Sequence, residues 1–458
     1  MTDFSGLNLS QPLARALAEL DYLEMTPVQA ASLPAILAGR DVVVQAQTGS
    51  GKTAAFALGL LATLDASQAR LQGLVLCPTR ELADQVSREI RRLARFIPNV
   101  KVLTLCGGVP LRPHLASLAH EPHIVVGTPG RLLELIGKQA LPLQAVRALV
   151  LDEADRMLDM GFADAIADII AGLPQPRQTL LFSATIPAPI REISRRLQRD
   201  PLDVTVAAGP EETLIEQHFF EIDPALKLEA LAALLCQYRP EAAVVFCNTR
   251  QDVRAVARDL AARGFPVLAL HGELDQRERD ETLVRFANRS CVVLVASDVA
   301  ARGLDIADLP MVINFDLASD PDTHLHRVGR TGRAGRRGLA LTLCAPWETS
   351  RANTIEDRLG EPLHWGKPAP MGHDQAPLLA PFVTLAIDAG RQDKLRPGDL
   401  LGALTGDAGL PATAVGKIDV FPTRTYVAIA RDWHRKALER LRAGKIKGRK
   451  IRVRELGG

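Results

Sequence analysis

Two short stretches contain residue types that could bind a nucleotide and act on its phosphates. AQTGSGKT, residues 46–53, ends as a phosphate-binding loop does, although Ala46 stands where the general pattern has its first glycine. The glycines would let backbone N–H groups face phosphate oxygens. Lys52 would reach the β- and γ-phosphates, and the Thr53 hydroxyl would ligate Mg²⁺. A glycine-rich turn without a ligand is the alternative for such a stretch.

The second stretch is DEAD, residues 152–155, which follows the apolar run ALVL. A carboxylate at a strand end opposite a phosphate-binding loop can hold Mg²⁺, and an adjacent carboxylate can position and deprotonate a water molecule. We therefore assign Asp152 to the metal and Glu153 to the water. An isolated DEAD tetrapeptide more often begins a helix, so the assignment depends on the preceding strand and on the loop about a hundred residues upstream.

The elements that position these residues are apolar, β-branched segments that alternate with helical patterns. The predicted strands are DVVVQA, GLVLCPT, KVLTLC, HIVVGTP, ALVLDEAD and TLLFSAT, followed by AVVFCNT, PVLALHG, CVVLVASD, MVINFD and LALTLCA. Continuous apolar strands separated by helices predict parallel sheets that are covered on both faces, with ligands at the strand ends. We therefore predict two tandem α/β domains with parallel sheets, residues 1–208 and 209–365.

A different pattern follows the second α/β domain. Residues 366–380 contain several prolines and glycines and predict a linker. Residues 381–458 then read as strand, helix, two strands, helix and strand, an order that fits a βαββαβ domain of the RNA-recognition type. Tyr426 is the one obvious stacking residue on its third strand, with Phe382 and Phe421 as further candidates. A small domain that only docks on the rest of the chain is the alternative.

Composition excludes disorder and a membrane span. The 458 residues are 47% hydrophobic and 24% charged, and every long apolar run is interrupted well short of the roughly 20 residues that cross a bilayer. MTDFSGLNLS at the N-terminus lacks a signal-peptide pattern. The six cysteines lie mostly in strand-like runs without a CxxC pair, which predicts buried reduced thiols rather than disulfides or a metal site. We expect a cytoplasmic protein, a monomer that does not bind a membrane.

The net charge of +2 is unevenly distributed along the chain. Residues 375–458 contain 16 lysines and arginines against 8 acidic residues, whereas residues 1–374 contain 39 against 45. A charged run is usually only a solvated face. A small domain with this positive surplus nevertheless favours an anionic partner such as nucleic acid.

The motifs, in their order along the chain, resemble those of DEAD-box ATP-dependent RNA helicases, and the resemblance covers residues 1–365. The motifs are TPVQ (26–29), AQTGSGKT (46–53), PTRELA (78–83), GG (107–108), TPGR (128–131), DEAD (152–155), SAT (183–185), VFCNTR (245–250), QRER (276–279), SDVAARGLD (297–305) and HRVGRTGR (326–333). Alanine is the usual residue at position 46 in that family, so the missing glycine does not count against phosphate binding.

The resemblance implies a set of ATP-binding residues. Gln29 would read adenine through its amide, Phe4 would stack on the base, and Asp305 would contact the ribose. Phe4 as an ordinary core residue is the alternative. Arg330 and Arg333 would act from the second domain as arginine fingers on the γ-phosphate, so that hydrolysis requires domain closure. The phosphate-binding loop contributes Ala46, Gln47, Thr48, Gly49, Ser50, Gly51, Lys52 and Thr53.

The resemblance also implies an RNA-binding face that contacts the sugar-phosphate backbone with little sequence preference. Its residues would be Arg80, Gly108, Thr128 and Arg131 in the first domain, with Arg250, Gly272 and Ser297 in the second. Ser183 and Thr185 would couple the ATP site to this face. In the C-terminal domain we assign RNA contacts to Tyr426, Lys445, Lys447, Arg449 and Lys450.

A helicase core with such a C-terminal domain is similar to the bacterial DEAD-box protein A group, which implies large-subunit (23S) ribosomal RNA and ribosome assembly. The same motifs would serve an ATP-gated RNA clamp that does not unwind, and a DNA translocase is a further, less favoured reading. Three residues depart from the family pattern. Met25 replaces a usual proline and Asp21 a usual glycine; because Gln29 remains, we expect a change in loop stiffness and no loss of the preference for ATP. His324 replaces a common tyrosine, an exchange that the sequence does not explain.

Overall fold

The computed structural model describes residues 3–47, 49–206, 215–301, 309–332, 337–367, 378–407 and 409–456. The chain divides into two compact units, residues 3–206 and residues 215–456 in their described parts. The predicted boundary at residues 208 and 209, and most of the predicted linker, lie outside the described residues.

The first unit is built on a parallel sheet of seven described strands in the order β3-β4-β2-β5-β6-β1-β7. Alternate residues of each strand enter two different cores: Val42 and Val44 pack on one face, and Val43 packs on the other. This explains why the strands are apolar without interruption. The strands are β1 (Val42–Gln45), β2 (Gly73–Leu76), β3 (Val102–Leu105), β4 (Ile124–Gly127), β5 (Ala148–Asp152), β6 (Gln178–Ser183) and β7 (Leu202–Thr205).

Helices cover both faces of this sheet, and several begin at a side-chain cap. Thr79 accepts a hydrogen bond from the backbone N–H of Leu82, and Thr26 forms a capping box with Gln29. The helices are α1 (Gln11–Glu19), α2 (Pro27–Leu37), α3 (Lys52–Ala62), α4 (Arg80–Leu93), α5 (Leu111–Leu118), α6 (Pro129–Gly137), α7 (Ala154–Asp159), α8 (Ala163–Ala171) and α9 (Ala188–Leu197).

The second unit begins with another parallel sheet, whose described strands follow the order β10-β11-β9-β12-β13-β8-β14. They are β8 (Ile215–Glu221), β9 (Ala243–Cys247), β10 (Val267–Leu270), β11 (Val293–Ser297), β12 (Met311–Asn314), β13 (Gly338–Cys344) and β14 (Trp365–Gly366). The helices are α10 (Lys227–Tyr238), α11 (Arg250–Ala262), α12 (Gln276–Ala287), α13 (Asp298–Ala301), α14 (Pro321–Val328) and α15 (Thr349–Leu359).

The C-terminal domain, residues 378–456 in its described part, belongs to the second unit. Its sheet is antiparallel in the order β16-β17-β15-β18. The elements are β15 (Phe382–Ile387), α16 (Pro397–Gly402), β16 (Val415–Val420), β17 (Thr425–Ala430), α17 (His434–Ala443) and β18 (Val453–Glu455). Both helices pack on one face of the sheet around Leu385, Val427 and Leu441. The βαββαβ prediction is therefore confirmed.

The predicted strands are all present, and the fold is two tandem α/β units of the RecA type with a small antiparallel domain. Three strands were not predicted, namely β7, β8 and β14. All six cysteines are buried and unpaired. No helix in the described ranges has the length and apolar character needed to cross a membrane.

Candidate functional site

The phosphate-binding loop connects β1 to α3 in the first unit and depends on two left-handed glycines. Gly49 has φ +91° and Gly51 has φ +90°, a region that other residues enter only at a cost. A Cβ atom at Gly51 would lie 2.6 Å from Gln29 Nε2 and 2.8 Å from Thr26 Oγ1. Position 51 therefore admits glycine alone, for its backbone conformation and for the space around it.

The TPVQ motif is hydrogen-bonded to this loop. Thr26 Oγ1 donates to the carbonyl of Ser50 at 2.7 Å, and Gln29 Nε2 donates to the carbonyl of Gly51 at 3.2 Å. The other amide atom, Gln29 Oε1, accepts from the backbone N–H of Thr26 at 2.9 Å. A side-chain amide has two N–H donors and two acceptor lone pairs. Since the loop uses one donor and the Thr26 N–H uses one lone pair, one donor and one acceptor of Gln29 remain for a base. The predicted adenine reader thus also positions the loop.

Lys52 opens α3 with a buried side chain. Its Nζ donates to the carbonyl of Ala46 at 2.5 Å, a hydrogen bond that joins the two ends of the loop. Ser50 Oγ donates to the carbonyl of Gln47 at 2.8 Å, and the half-buried Thr53 follows in the first turn of the helix. Thr48, the remaining predicted loop residue, lies outside the described residues.

Asp152 ends β5, which is separated from β1 by β6 alone. Burial raises the pKa of Asp152 to about 7, the Glu153 carboxylate adds to the rise, and the charge of Lys52 opposes it. Glu153 adopts φ +50° and ψ +53°, a left-handed conformation that is uncommon for glutamate and costs free energy. A buried carboxylate beside a second carboxylate and a hydroxyl-bearing loop is an oxygen donor set of the kind that suits Mg²⁺.

Asp155, the last residue of DEAD, joins α7 to the end of β6. Its Oδ2 accepts from both the backbone N–H and the Oγ1 of Thr185, each at 2.9 Å, and its own N–H donates to Ser183 Oγ at 3.2 Å. Although burial opposes the change, these hydrogen bonds lower the pKa of Asp155. Asp155 of the DEAD motif thus holds Ser183 and Thr185 directly. The sequence analysis gave Asp155 no role.

The four predicted RNA contacts of the first unit follow β2, β3 and β4, on the other half of the same sheet edge. Arg80 Nη1 is buried and has no hydrogen-bond partner among the described residues. Gly108 is exposed with φ +77°, and Thr128 Oγ1 accepts from the N–H of Gly107 at 3.3 Å. Arg131 is held by the carbonyl of Val109 and by further polar groups.

In the second unit the predicted contacts also stand at strand ends. Arg250 begins α11 and pairs with Glu273 at 2.9 Å, Gly272 follows β10 in an exposed loop, and Ser297 ends β11 with 8% of its surface exposed. Arg330 lies just beyond α14 and is buried. Asp305 and Arg333 lie outside the described residues.

Comparison with known sequences matches every part of this arrangement. The family described as DEAD/DEAH box helicase matches residues 26–193, the helicase conserved C-terminal domain matches residues 226–335, and the DbpA RNA binding domain matches residues 384–455. The chain is 57% identical to the ATP-dependent RNA helicase DbpA of Escherichia coli (strain K12) over 100% of both chains. The chain belongs to the DEAD-box family of ATP-dependent RNA helicases.

Other relatives match the helicase core of this DEAD-box protein. The helicase CshA of Bacillus subtilis is 43% identical over 78% of this chain and 74% of its own. Among solved structures, S. cerevisiae Dbp5 bound to RNA and ADP BeF3 has a TM-score of 0.73 at 28% identity, covering 80% of this chain and 96% of that one. Mss116p bound to ssRNA and AMP-PNP has a TM-score of 0.71 at 25% identity, covering 79% and 78%. The chain is therefore an RNA-stimulated ATPase that uses ATP and binds RNA.

One buried residue of this DEAD-box helicase was missed by the sequence analysis. Arg327, 1% exposed, donates from Nε and Nη2 to the two carboxylate oxygens of Asp298 at 2.7 and 2.6 Å, and from Nη1 to the carbonyl of Asp316 at 2.7 Å. It fixes α14, and with it the position of Arg330. The sequence did contain a feature that could have identified Arg327, because it lies in the HRVGRTGR motif, three residues before Arg330.

The structure shows the surroundings of the three residues that depart from the family pattern, Asp21, Met25 and His324. Asp21 adopts φ +57°, which explains why glycine is usual there and why aspartate, which tolerates this region, can replace it. Met25 packs on the first core. His324 stacks on Phe219 at 5.7 Å between ring centroids. Its Nε2 hydrogen-bonds Gln217 at 3.0 Å, and burial lowers its pKa to about 4.

Two predictions about aromatic residues have different outcomes. Phe4 is half-buried, packs on the first core and meets Tyr22 edge-on at 6.3 Å, which agrees with the core alternative and leaves base stacking a proposal. Tyr426 is only 3% exposed, because its face of the C-terminal sheet packs on α12. The structure therefore contradicts Tyr426 as an exposed stacking residue. The predicted basic residues of that domain are all exposed, namely Lys445, Lys447, Arg449 and Lys450.

Proposed function

We propose that this helicase remodels structured RNA of the large ribosomal subunit, 23S ribosomal RNA, during ribosome assembly. The C-terminal domain captures the RNA, and the two helicase domains open a nearby duplex locally in an ATP-dependent cycle. The observation that carries the proposal is an exposed basic surface on the domain that matches the DbpA RNA binding domain. We call it the basic loop surface: Arg442, Lys445, Lys447, Arg449, Lys450 and Arg452.

Four residues of the basic loop surface line a cleft of about 430 Å³ between the loop before β18 and the loop after β15, namely Lys447, Arg449, Lys450 and Arg452. The cleft is also lined by Lys394 and by two carboxylates, Asp388 and Asp393. Lys447 donates to the carbonyl of Lys394 at 2.9 Å and lies 3.3 Å from Asp399, and Arg442 Nε donates to the carbonyl of Val453 at 3.1 Å. Two cations are thus held in place, and the other four are exposed. Phosphates bound here would release counterions, and affinity would fall steeply with salt. This surface replaces Tyr426 as our proposed RNA contact of the C-terminal domain.

For the ATPase step we propose the roles that the motif positions suggest. Thr53 and Asp152 would hold Mg²⁺, which neutralises charge on the transferred phosphoryl group when it is bound. Lys52 and the loop backbone would bind the phosphates, and Gln29 would bind adenine through the remaining amide donor and acceptor. Glu153 would orient the attacking water and accept its proton.

For the core we propose backbone contacts to RNA and catalysis by residues of the second domain. The unpartnered Nη1 of Arg80 supports a phosphate contact, because a buried guanidinium N–H without an acceptor is costly. Arg330 and Arg333 would stabilise the negative charge of the transition state as arginine fingers. Ser183 and Thr185, held by Asp155, would relay the state of the ATP site to the RNA-facing half of the sheet.

Three measurements test the proposal: RNA crosslinking, strand displacement, and stimulation of the ATPase by DNA. Crosslinking in cells with sequencing of the bound RNA should recover 23S ribosomal RNA in excess over other transcripts, and an even distribution would contradict it. Strand displacement from a duplex beside the recovered site should require ATP. ATP-dependent binding that releases no strand would instead identify an RNA clamp, and equal stimulation of the ATPase by DNA would indicate a translocase on DNA.

We further propose that the protein acts as a monomer in the cytoplasm. Light scattering after size-exclusion chromatography, with and without RNA, tests the first statement. Cell fractionation tests the second, and recovery with the membrane fraction would contradict it.

A further inference from the structure

One carboxylate of the second helicase domain holds two arginines that stand one helical turn apart. Oε1 of Glu273 lies 2.9 Å from Nη1 of Arg250, and its Oε2 is paired with Nη2 of Arg254. Arg250 and Arg254 are the first and fifth residues of α11, so both side chains leave the same face of that helix. Each oxygen of Glu273 is therefore occupied by a different guanidinium group.

This group of charges lies at the proposed RNA face of the domain. Glu273 follows Gly272 directly, in the loop after β10, and Arg250 opens α11 after β9. Gly272 and Arg250 are both among the residues that we propose as contacts of the RNA backbone. The Glu273 carboxylate thus adjoins one proposed contact in the chain and is paired with the other.

A neutral histidine also fixes Arg254. Nε of Arg254 donates to Nε2 of His271 at 3.3 Å, so this ring nitrogen carries no proton. His271 is 7% exposed, and burial together with the charge of Arg254 lowers its pKa. The imidazole therefore remains an acceptor at neutral pH. Arg254 is oriented by the two residues on either side of Gly272, namely His271 and Glu273.

The three charged side chains are open to solvent, which makes their attraction weak and leaves them accessible. The exposed fraction is 66% for Arg250, 53% for Arg254 and 39% for Glu273. An exposed ion pair contributes little to stability because water and salt screen it. Another anion can therefore replace the carboxylate without the large cost of leaving a charge buried and unpaired.

An RNA phosphate offers arginine the same kind of acceptor as a carboxylate does. Each group has two oxygens that share a negative charge, and guanidinium groups bind both by charge-assisted hydrogen bonds. Arg250 and Arg254 could hold the two non-bridging oxygens of one phosphate as they now hold the two oxygens of Glu273. The carboxylate and the phosphate would then compete for the same donors.

The corresponding arginine of the first unit has a different neighbour. Arg80 begins α4 after β2, as Arg250 begins α11 after β9. The fifth residue of α4 is Asp84, which lies 3.8 Å from Nε of Arg80, whereas the fifth residue of α11 is Arg254. The second unit thus has a cation where the first unit has an anion, so two positive charges can meet one phosphate there.

We propose that Glu273 occupies the place of an RNA phosphate and that Arg254 is a further RNA contact beside Arg250. RNA reaches the two arginines by displacing the carboxylate, so Glu273 lowers the affinity of the helicase core for any RNA. The carboxylate takes the arginines back when the strand leaves, which keeps both guanidinium groups oriented between cycles. This inference rests on the proposed function, specifically on the contacts of RNA with Arg250 and Gly272.

A neutral variant tests the competition in the full-length protein. Glu273→Gln keeps the size of the side chain but removes the charge that competes with phosphate. The concentration of poly(U), a single-stranded RNA, that gives half-maximal ATPase should fall about two- to fivefold, the range that exposed ion pairs allow. The slope of its logarithm against the logarithm of the salt concentration should steepen by up to about one unit.

The matched control removes a carboxylate that also holds two arginines but lies in α1. Glu19 is 41% exposed and pairs with Arg15 at 3.5 Å and with Arg95 at 3.2 Å. We have placed none of these three residues at the ATP or RNA sites. Glu19→Gln should leave the half-maximal poly(U) concentration unchanged.

Substitution of Arg254 tests its contact with RNA. Arg254→Gln should raise the half-maximal poly(U) concentration and flatten the salt slope by up to about one unit. The double variant with Glu273→Gln completes a cycle, in which the gain from Glu273→Gln should shrink when Arg254 is absent. Effects of the two substitutions that simply add would mean that Glu273 does not act through Arg254, and would overturn the inference.

The remaining outcomes separate this inference from the proposed function. A half-maximal poly(U) concentration that rises or stays the same in Glu273→Gln, or falls equally in Glu19→Gln, would overturn the competition. Arg250→Gln tests the proposed contact alone. If it leaves the response to poly(U) unchanged, the proposed contact fails and this inference fails with it. A weaker response in Arg250→Gln beside an unchanged one in Glu273→Gln would keep the contact and overturn the inference.

Discussion

Gly51 combines a left-handed backbone with a space too small for a methyl group. Gly51→Ala should lower ATP affinity at least about tenfold, because the new Cβ would push Gln29 and Thr26 off the loop. Gly39→Ala is a matched control, since Gly39 has φ +77° but nothing within 4 Å of a Cβ. Both changes carry the backbone cost of about 1–2 kcal/mol. Equal ATP affinities in the two variants, measured by calorimetry, would remove the steric role of position 51.

Glu153 is held in a strained conformation at the junction of β5 and α7. Glu153→Gln keeps its size and hydrogen-bonding reach but cannot accept a proton from water. We expect hydrolysis to fall by about 10²- to 10⁴-fold, the usual range for a general base, with ATP and RNA binding retained. Single-turnover ATPase assays with 23S ribosomal RNA measure the loss. Near-normal hydrolysis would remove Glu153 from this role.

At the scale of elements, most of the fold could be predicted because buried strands and capped helices leave clear patterns. The strands that were missed lie toward the far edge of each sheet, where burial is partial: LDVT in β7 mixes exposed and buried positions, and β14 has two residues. Asp155 and Arg327 were missed as site residues because their roles come from partners distant in sequence. The face of Tyr426 could not be assigned because alternation does not tell which face another domain covers.

His324 joins α14 to β8 through Gln217 and Phe219, and it should make the second helicase domain acid-sensitive. Its folded pKa of about 4 lies below its ordinary 6.5, so the unfolded chain takes up the proton first. Stability is unaffected above pH 6.5 and falls as the pH drops toward 4, by about 2 kcal/mol at pH 5. His324→Phe should remove this part of the pH dependence, measured as urea midpoints at pH 7 and pH 5. Parallel curves for both proteins would contradict the assignment.

At the scale of the whole molecule, the positive surplus is concentrated at one end of the chain and exposed on the basic loop surface. Neutralising Lys445, Lys447, Arg449 and Lys450 together should raise the 23S ribosomal RNA concentration needed for half-maximal ATPase. The apparent affinity for 23S ribosomal RNA should also depend less on salt: the slope of its logarithm against the logarithm of the salt concentration should flatten by up to about one unit per lost phosphate contact. Stimulation of the ATPase by poly(U), an RNA without the ribosomal sequence, should be unchanged.

A charge-matched control separates this effect from net charge. Four exposed arginines in and beside α9 can be neutralised in the first unit instead: Arg191, Arg195, Arg196 and Arg199. We expect no change in the response to 23S ribosomal RNA from this variant. If both variants lose the same share of the ATPase stimulation by 23S ribosomal RNA, that stimulation depends on the total charge of the protein and not on the basic loop surface.

The C-terminal domain packs on α12 of the second helicase domain, and this interface limits how freely the domain can be exchanged between helicases. A chimaera that transplants residues 378–456 onto another helicase core would bring the basic loop surface but leave Glu281, Val284 and Ser290 behind. Such a hybrid would recognise its RNA and yet present it at an arbitrary angle. The unit of exchange is therefore larger than the domain, because it includes the helix on which the domain rests.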